Sequence, residues 1–269
     1  MIYQLKNSII AHSKIKKIAY FIIGVILIIL LVQFLSVLKN DKIIFPNVIE
    51  IFKAFFSLLG KKETYSLISS TLLRLLIALS IALIIGIIIG IFEGVFESVR
   101  MILKPLMVLL RSLPMIVLVV IIMVLVTSNE WKNVPIYGTS IILIPIISEA
   151  VAEGIVRIDK SLLDVYKINS NLTPFVIFKV HIPLIIGYIK QAFINAIGMG
   201  IKVIVTTEYI VSATPSLGKA IYNSQYLFEY EYIYAYAILM VILVLLVEGI
   251  PILISKLYTY FKFQKQQAN

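Results

Sequence analysis

The sequence contains no cysteine and only two histidines, His12 and His181, in 269 residues. The absence of cysteine excludes disulfide bonds, thiolate nucleophiles and cysteine-ligated zinc. The two histidines lie far apart and neither belongs to a His-Glu-x-x-His pattern, so we expect neither a metal site nor a bound cofactor. The sequence also lacks a G-x-x-x-x-G-K-[ST] phosphate loop, which indicates that ATP is handled by a separate chain.

Charged residues are scarce as well: they make up 14% of the chain, whereas 61% of the residues are hydrophobic. Soluble domains contain roughly 45–50% apolar residues, so this composition predicts an integral membrane protein. The formal net charge is +10, but the lysines mostly lie at the ends of apolar runs and not in one basic patch with interleaved aromatic residues. The basic residues therefore indicate membrane topology, and we expect no nucleic-acid partner.

Apolar runs long enough to cross the hydrocarbon core, about 20 residues each, predict an all-α protein with about six transmembrane helices. They cover residues 18–38, 67–92, 106–126, 134–151, 184–206 and 234–253. The lysine-rich N-terminus followed by the first run could be a signal peptide, but the run is long and no Ala-x-Ala-like site follows it. We interpret it as an uncleaved anchor.

The distribution of lysine and arginine predicts that both termini are cytoplasmic. About thirteen basic residues fall on the side that holds the termini, against about seven on the other side, and the positive-inside rule places the richer side in the cytoplasm. The first external loop carries apolar residues at Val48, Ile51, Phe52, Phe55 and Phe56, which is the rhythm of an amphipathic helix. This stretch is too short and too charged to span, so we expect an interfacial helix.

The cytoplasmic segment 152–183 predicts a helix, a tight turn and a second helix. Apolar residues recur at helical spacing at Leu162, Leu163, Val165, Tyr166 and Ile168, with Asp164 and Lys167 between them. Asn169, Ser170 and Asn171 end that helix, since asparagine adopts left-handed backbone angles readily. Thr173 fits the N-cap position, Pro174 fits the first turn of the next helix, and Pro183 marks the start of the fifth span. The segment is either a compact docking surface or a hairpin that merely connects two spans.

The same segment resembles the cytoplasmic loop of ABC-importer permeases, whose signature is Glu-Ala-Ala, three residues, Gly, nine residues, then Ile-x-Leu-Pro. The signature falls on Asp164-Val165-Tyr166, on Ser170 and on Val180-His181-Ile182-Pro183 with its spacing intact, although only the proline is identical. Further resemblance extends over nearly all of the chain. It is carried by Arg74 in LLRLLIAL, by Gly86, Gly90 and Gly94, by KPLMVLLRSLP at 104–114, and by TEYIVSATPSLGKAI at 207–221. These stretches resemble the permeases of nitrate, sulfonate, taurine and thiamine-precursor importers.

This resemblance implies a type I, methionine-importer-like permease fold in the bacterial cytoplasmic membrane. It implies a non-catalytic subunit that works as a homodimer and forms the solute path. Two separate ABC ATPases would bind ATP and Mg²⁺, and an extracytoplasmic solute-binding protein or lipoprotein would deliver the solute. Residues 1–269 would form one permease domain: an N-terminal span and external segment at 1–66, then a core at 67–255. The coupling residues would be Leu162, Leu163, Asp164, Val165, Tyr166, Lys167, Asn169, Ser170, Asn171, Pro174 and Pro183.

Charged residues within the predicted spans are costly in lipid, so each is paired, faces a cavity or reaches an interface. Lys202 either faces the solute path or reaches the nearby outer interface along its apolar stem, and Gly198 beside it permits close helix approach. Glu208 either pairs with a basic residue or lines the external mouth of the path. We expect Arg74 and Arg111 to anchor span ends, and Glu248 to pair with a lysine or arginine.

A dense group of aromatic residues precedes the last span, and it is typical of an interfacial belt. A stacking surface for a flat, ring-containing solute is the alternative. The group comprises Tyr222, Tyr226, Phe228, Tyr230, Tyr232, Tyr234 and Tyr236.

Two other classes of membrane protein are alternatives. An ion-coupled transporter or channel without an ATPase predicts inverted repeats with broken helices, or several acidic residues near mid-membrane, and the sequence shows neither. An intramembrane enzyme would need a catalytic constellation within the spans, and no Ser/His, paired Asp or His-rich set occurs there. The sequence does not identify the solute.

Overall fold

The computed structural model describes residues 2–39, 44–159 and 177–267, and these residues are helical apart from short connections. The long helices are α1 (Ile2–Lys39), α3 (Lys62–Val95), α6 (Val134–Val156), α7 (Ile182–Val211) and α9 (Tyr230–Gln267). Shorter helices are α2 (Val48–Gly60), α4 (Glu97–Ser112), α5 (Met115–Leu125) and α8 (Leu217–Tyr226). A 3₁₀ helix covers Ser128–Asn133 and a π-helical turn covers Ile177–His181. The predicted all-α class is therefore confirmed, and the described residues contain no β-strand.

Four of these helices are long and apolar enough to cross a membrane, or five spans if α4 and α5 together count as one, within the described residues. The apolar part of α1, Ile22–Leu38, is slightly too short to count as a membrane-spanning helix, and it covers most of the first predicted span. The predicted spans two, four, five and six thus correspond to α3, α6, α7 and α9. Residues 160–176, which carry most of the predicted coupling segment, lie outside the described residues.

The third predicted span, 106–126, is not one straight helix. It is divided between α4 and α5, whose axes meet at an angle of 104°. Pro114 causes the break, because proline disfavours helical angles in the residue before it. Leu113 accordingly adopts extended backbone angles (φ −63°, ψ 128°), and α5 starts afresh after Pro114.

The chain divides into two compact units, and the smaller one comprises residues 1–60 and 223–238. Within it, the predicted amphipathic helix is confirmed as α2. Its start is fixed by Glu50, whose carboxylate accepts a hydrogen bond from the backbone N–H of Asn47 at 2.9 Å. Ile51, Ala54, Phe55 and Leu58 form its buried face, as the i, i+3, i+4 pattern predicts.

The larger unit comprises residues 61–222 and 239–269, and its core is built from α3, α6 and α7. Gly86, Gly90 and Gly94 recur every four residues on α3 and form a flat strip that lies directly against α6. A Cβ on Gly90 would come within 2.5 Å of the Ser148 carbonyl oxygen, and a Cβ on Gly94 within 2.7 Å of the Ile155 Cβ. This close approach is the small-residue packing that membrane helices use, because lipid provides no hydrophobic drive for helix association.

Candidate functional site

A buried ion pair joins α3 to the end of α7. Arg74 Nη1 donates to Glu208 Oε1 at 3.0 Å, and the Glu208 side chain has no exposed surface. Thr71, one turn before Arg74, donates through its hydroxyl to Glu208 Oε2 at 2.9 Å. Every polar atom of this carboxylate is thus engaged by α3, which is the condition for burying a charge inside a membrane bundle.

The same pair holds the connection between α7 and α8. Helix α7 ends where Ser212 adopts a left-handed conformation (φ 55°), and the chain then turns back. Arg74 Nη1 also donates to the Pro215 carbonyl at 2.8 Å, and the Gly218 N–H donates to Glu208 at 3.4 Å. Gly218 packs so closely on Tyr209 and Glu208 that a Cβ would overlap with them. The cluster therefore fixes a reversal of the chain at one end of the bundle.

Helix α7 carries an exposed polar stripe along the face opposite its packed one. Gln191, Asn195, Lys202 and Thr206 are exposed, as is Met199, at the i, i+4, i+8, i+11, i+15 spacing of one helical face. The Gln191 amide donates to Asn195 Oδ1 at 3.0 Å, and the Thr206 hydroxyl donates to the Lys202 carbonyl at 2.8 Å. Such a stripe is costly in lipid, so it faces water or another protein surface.

Glu248 of α9 lies at the edge of this stripe. Its carboxylate occupies the space in which a Cβ on Gly198 would lie, and the buried Gly198 borders the stripe, between Asn195 and Lys202 along the helix. The expected pairing of Glu248 with a lysine or arginine is wrong for the described residues, among which no cation pairs with it. The glycine leaves room for the carboxylate against the helix backbone, so the side chain packs there.

A charged cavity of about 520 Å³ lies between the end of α3, helix α4 and the second half of α6. Its charged lining consists of four basic and three acidic side chains: Arg100, Lys104, Arg111, Arg157, Glu93, Glu149 and Glu153. Arg111 pairs with Glu149 and thereby links α4 to α6. Arg157 pairs with Glu153, and this hydrogen bond raises the pKa of the Arg157 guanidinium. The buried Glu93 accepts a hydrogen bond of 2.5 Å from the Ser148 hydroxyl.

The two ends of the predicted coupling segment emerge from the core of the larger unit. On one side α6 ends at Val156, and Arg157 donates its N–H to the Glu153 carbonyl at 3.1 Å. On the other side the π-helical turn Ile177–His181 leads directly into α7, with Pro183 in its first turn. Pro183 thus lies where it was predicted, at the start of the fifth span. The remaining predicted coupling residues, Leu162 to Pro174, lie outside the described residues.

Comparison with known proteins identifies the architecture. Residues 82–256 match the family described as binding-protein-dependent transport system inner membrane component. The chain belongs to this family. Accordingly it is a permease subunit of an ABC importer and a multi-pass protein of the bacterial plasma membrane.

The permease also shares its fold with a solved ABC importer. It superposes on a chain of the MetNI methionine ABC transporter, determined in inward-facing conformations, with a TM-score of 0.58 and 17% sequence identity. The match covers 71% of the permease and 92% of the MetNI chain, which confirms the predicted methionine-importer-like fold. Comparison with curated proteins by sequence gives no match.

The predicted path residues fall into two groups in the permease. Lys202 is exposed on the polar stripe, whereas Glu208 is buried in the pair with Arg74 and Gly198 is covered by Glu248. Glu208 therefore takes the first of its two predicted alternatives, the pair with a basic residue. Arg74 is more than an anchor for a span end, because it holds both Glu208 and the α7–α8 connection.

The aromatic group has a mixed character. Tyr226 and Phe228 are exposed by 74% and 68%, as expected of interfacial residues, whereas Tyr236 is buried. Tyr222 packs edge-on against Tyr209, and the Lys219 ammonium lies 4.3 Å from the centre of the Tyr222 ring.

Two contacts were not predicted from the sequence: the packing of Glu248 against Gly198 and the hydrogen bond from Ser148 to Glu93. Glu93 and Glu248 are each a single acidic residue in an apolar stretch, and this pattern does not identify the partner of either side chain.

Proposed function

We propose that the permease works as a homodimer, with two separate ABC ATPases on its cytoplasmic side and an extracytoplasmic solute-binding protein on the other. Its termini are cytoplasmic in this proposal, and ATP and Mg²⁺ bind to the ATPases, so the permease itself is non-catalytic. Membership of the binding-protein-dependent family supports this assembly. The distribution of basic residues supports the orientation.

The polar stripe of α7 is proposed to line the solute path between the two protomers. It is the observation that carries this assignment, because Gln191, Asn195, Lys202 and Thr206 leave the packed core and project from a membrane-spanning helix. Glu248 adds a carboxylate over Gly198 at the edge of this stripe. A solute there meets amides, an ammonium and a carboxylate, whereas the Arg74–Glu208 pair has a structural role outside the path.

Removing the charge at Lys202 tests the stripe. We expect Lys202→Met to lower solute uptake by about tenfold, since a hydrogen bond to a charged group contributes roughly 1.5–3 kcal/mol. Lys190→Met is the matched control: Lys190 is an exposed lysine on the same helix, but it lies about 100° away from the stripe. Uptake is measured in cells that lack the native permease. Equal uptake by the two variants would remove Lys202 from the path.

Coupling to the ATPase is proposed to run through residues 162–175, between the end of α6 and the π-helical turn before α7. The physical requirement is stiffness, because a flexible connection would absorb the movement of the ATPase. Pro174 and Pro183 restrict the backbone, and Asn169 and Asn171 favour a defined helix end. Both flanking helices belong to the packed core of the larger unit, so a displacement of the segment would be transmitted to the spans.

Truncating Tyr166 tests this coupling. Tyr166 stands where the family signature has a small alanine, so it requires a wider socket in the partner ATPase. We expect Tyr166→Ala to reduce copurification of the ATPase, or to uncouple its hydrolysis from uptake, while the permease itself stays folded. The control is Tyr226→Ala, which removes an exposed tyrosine elsewhere in the chain. Unchanged transport in the Tyr166 variant would count against the docking role.

A further inference from the structure

The charged cavity beside α4 is separate from the polar stripe and from the Arg74–Glu208 cluster. Its volume of about 520 Å³ falls within the roughly 300–1,000 Å³ range of small-molecule sites. It is lined by α4 and by the part of α6 that leads into the coupling segment. A ligand bound there would contact both elements at once.

The cations of this cavity are not equally engaged. Arg111 and Arg157 each pair with a carboxylate, and Arg100 donates to the carbonyl of Glu93 at 2.9 Å, at the end of α3. Lys104 makes no hydrogen bond or ion pair with any residue that the structure describes. It lies one turn from Arg100 on the same face of α4, where an anion would contact both side chains.

Helix α4 has the build of an interfacial helix. It meets the apolar helix α5 at 104°, so it runs close to the membrane plane if α5 enters the bilayer along the membrane normal. Met101, Ile102, Leu106 and Leu109 are exposed on its outer side, whereas its basic residues turn to the cavity. Such a helix buries its apolar face at the boundary of the headgroups and acyl chains. The cavity therefore opens at headgroup depth.

The rim of the cavity is apolar. Val108 of α4 and Val156 of α6 both line it and are exposed by 57% and 53%. A ligand with a charged head and an apolar tail would satisfy Lys104 within the cavity and cover these valines outside it. A small soluble anion would satisfy the lysine alone.

We propose that this cavity binds the phosphate headgroup of an anionic phospholipid, with Lys104 as the principal cation. Basic pockets between membrane helices on the cytoplasmic side recognise acidic headgroups in this way. The inference uses the orientation of the proposed function, which places α4 at the cytoplasmic leaflet. Occupancy would bridge α4 and α6 beside the Arg111–Glu149 pair and would hold the α6 end of the coupling segment in place.

Native mass spectrometry of the full-length permease, with any subunits that copurify, tests the site. The protein is titrated with phosphatidylglycerol or phosphatidylcholine. We expect selective retention of phosphatidylglycerol, weakened about fivefold by Lys104→Gln, as the loss of one basic residue near an anionic lipid predicts, and weakened further by Lys104→Glu. Lys132→Gln is the control, because Lys132 is an exposed lysine in the 3₁₀ helix, outside the cavity lining. This variant should bind like the wild type.

Three results overturn the proposal. Equal retention of the two lipids, or equal binding by the Lys104→Glu and Lys132→Gln variants, shows that the cavity does not select an anionic headgroup. If inorganic phosphate binds at the Lys104 site and phosphatidylglycerol does not, the ligand is a soluble anion and the lipid assignment is wrong. Lipid binding is measured without ATP or solute, so it does not depend on transport. If the permease bound phosphatidylglycerol selectively but moved solute without an ATPase, the proposed function would be wrong and the lipid site would still be supported.

Discussion

We expect the Arg74→Met variant to be destabilised by about 3–5 kcal/mol, because removing one partner of a buried ion pair leaves the other charge uncompensated. Glu208 has no exposed surface, and after the substitution it retains only neutral donors from Thr71 and Gly218. The Pro215 carbonyl loses its donor in the same step. The readout is the temperature at which half of the detergent-purified protein is lost from the folded peak in size-exclusion chromatography.

Two variants show whether the loss arises from the pair. Arg74→Met combined with Glu208→Gln removes both charges but keeps an acceptor for Thr71, so we expect it to recover most of the stability. Arg111→Met breaks the Arg111–Glu149 pair, whose side chains are 42% and 61% exposed, and exposed pairs contribute about 0–1 kcal/mol. If Arg74→Met were no less stable than Arg111→Met, the buried pair would not be what holds the α7–α8 connection.

Replacing Gly90 by leucine is expected to prevent folding of the larger unit, and Gly90→Ala to cost about 1–3 kcal/mol, the usual penalty for overpacking a tight interface. A Cβ at this position would come within 2.5 Å of the Ser148 carbonyl oxygen and within 2.7 Å of the Val151 Cβ. A backbone atom cannot move aside like the end of a flexible side chain, so α3 and α6 must separate. The separation would also strain the bond between Glu93 and Ser148.

Gly187→Ala is the matched control for this substitution. Gly187 also lies in a membrane-spanning helix, α7, but nothing lies within 4 Å of the position that its Cβ would occupy. Alanine favours a helix over glycine by about 1 kcal/mol, so this variant should be as stable as the wild type or slightly more stable. Folded yield in detergent distinguishes the Gly90 variants from Gly187→Ala. A normal yield of Gly90→Leu would show that α3 and α6 do not pack through the glycine strip.

The sequence predicted most helices because apolar length and helical periodicity are local properties. The apolar run at 67–92 corresponds to α3, and the helical spacing of Val48, Ile51 and Phe55 corresponds to α2. The third span shows the limit of this reasoning. Its apolar run continues through Pro114, so composition favoured one helix, whereas the steric effect of that proline on Leu113 produces two.

The sites were less predictable, because they depend on which helices meet. Glu208 was expected to find a basic partner, but the choice of Arg74, far away in the sequence, is decided by the packing of α3 against α7. Glu248 was expected to pair with a cation, and instead its carboxylate fits over Gly198. Neither contact has a local signature. Gly86, Gly90 and Gly94 are part of the resemblance to importer permeases, but only the structure shows that α6 lies against them.

The most direct test of the account is solute uptake by proteoliposomes that contain the permease with or without its ATPase. The solute is first identified as the molecule that the cognate binding protein captures. We predict uptake only when the permease, the ATPase, the loaded binding protein and ATP are all present, and none with an ATPase that cannot hydrolyse ATP. Uptake at the same rate by the permease alone, driven by an ion gradient, would contradict the account.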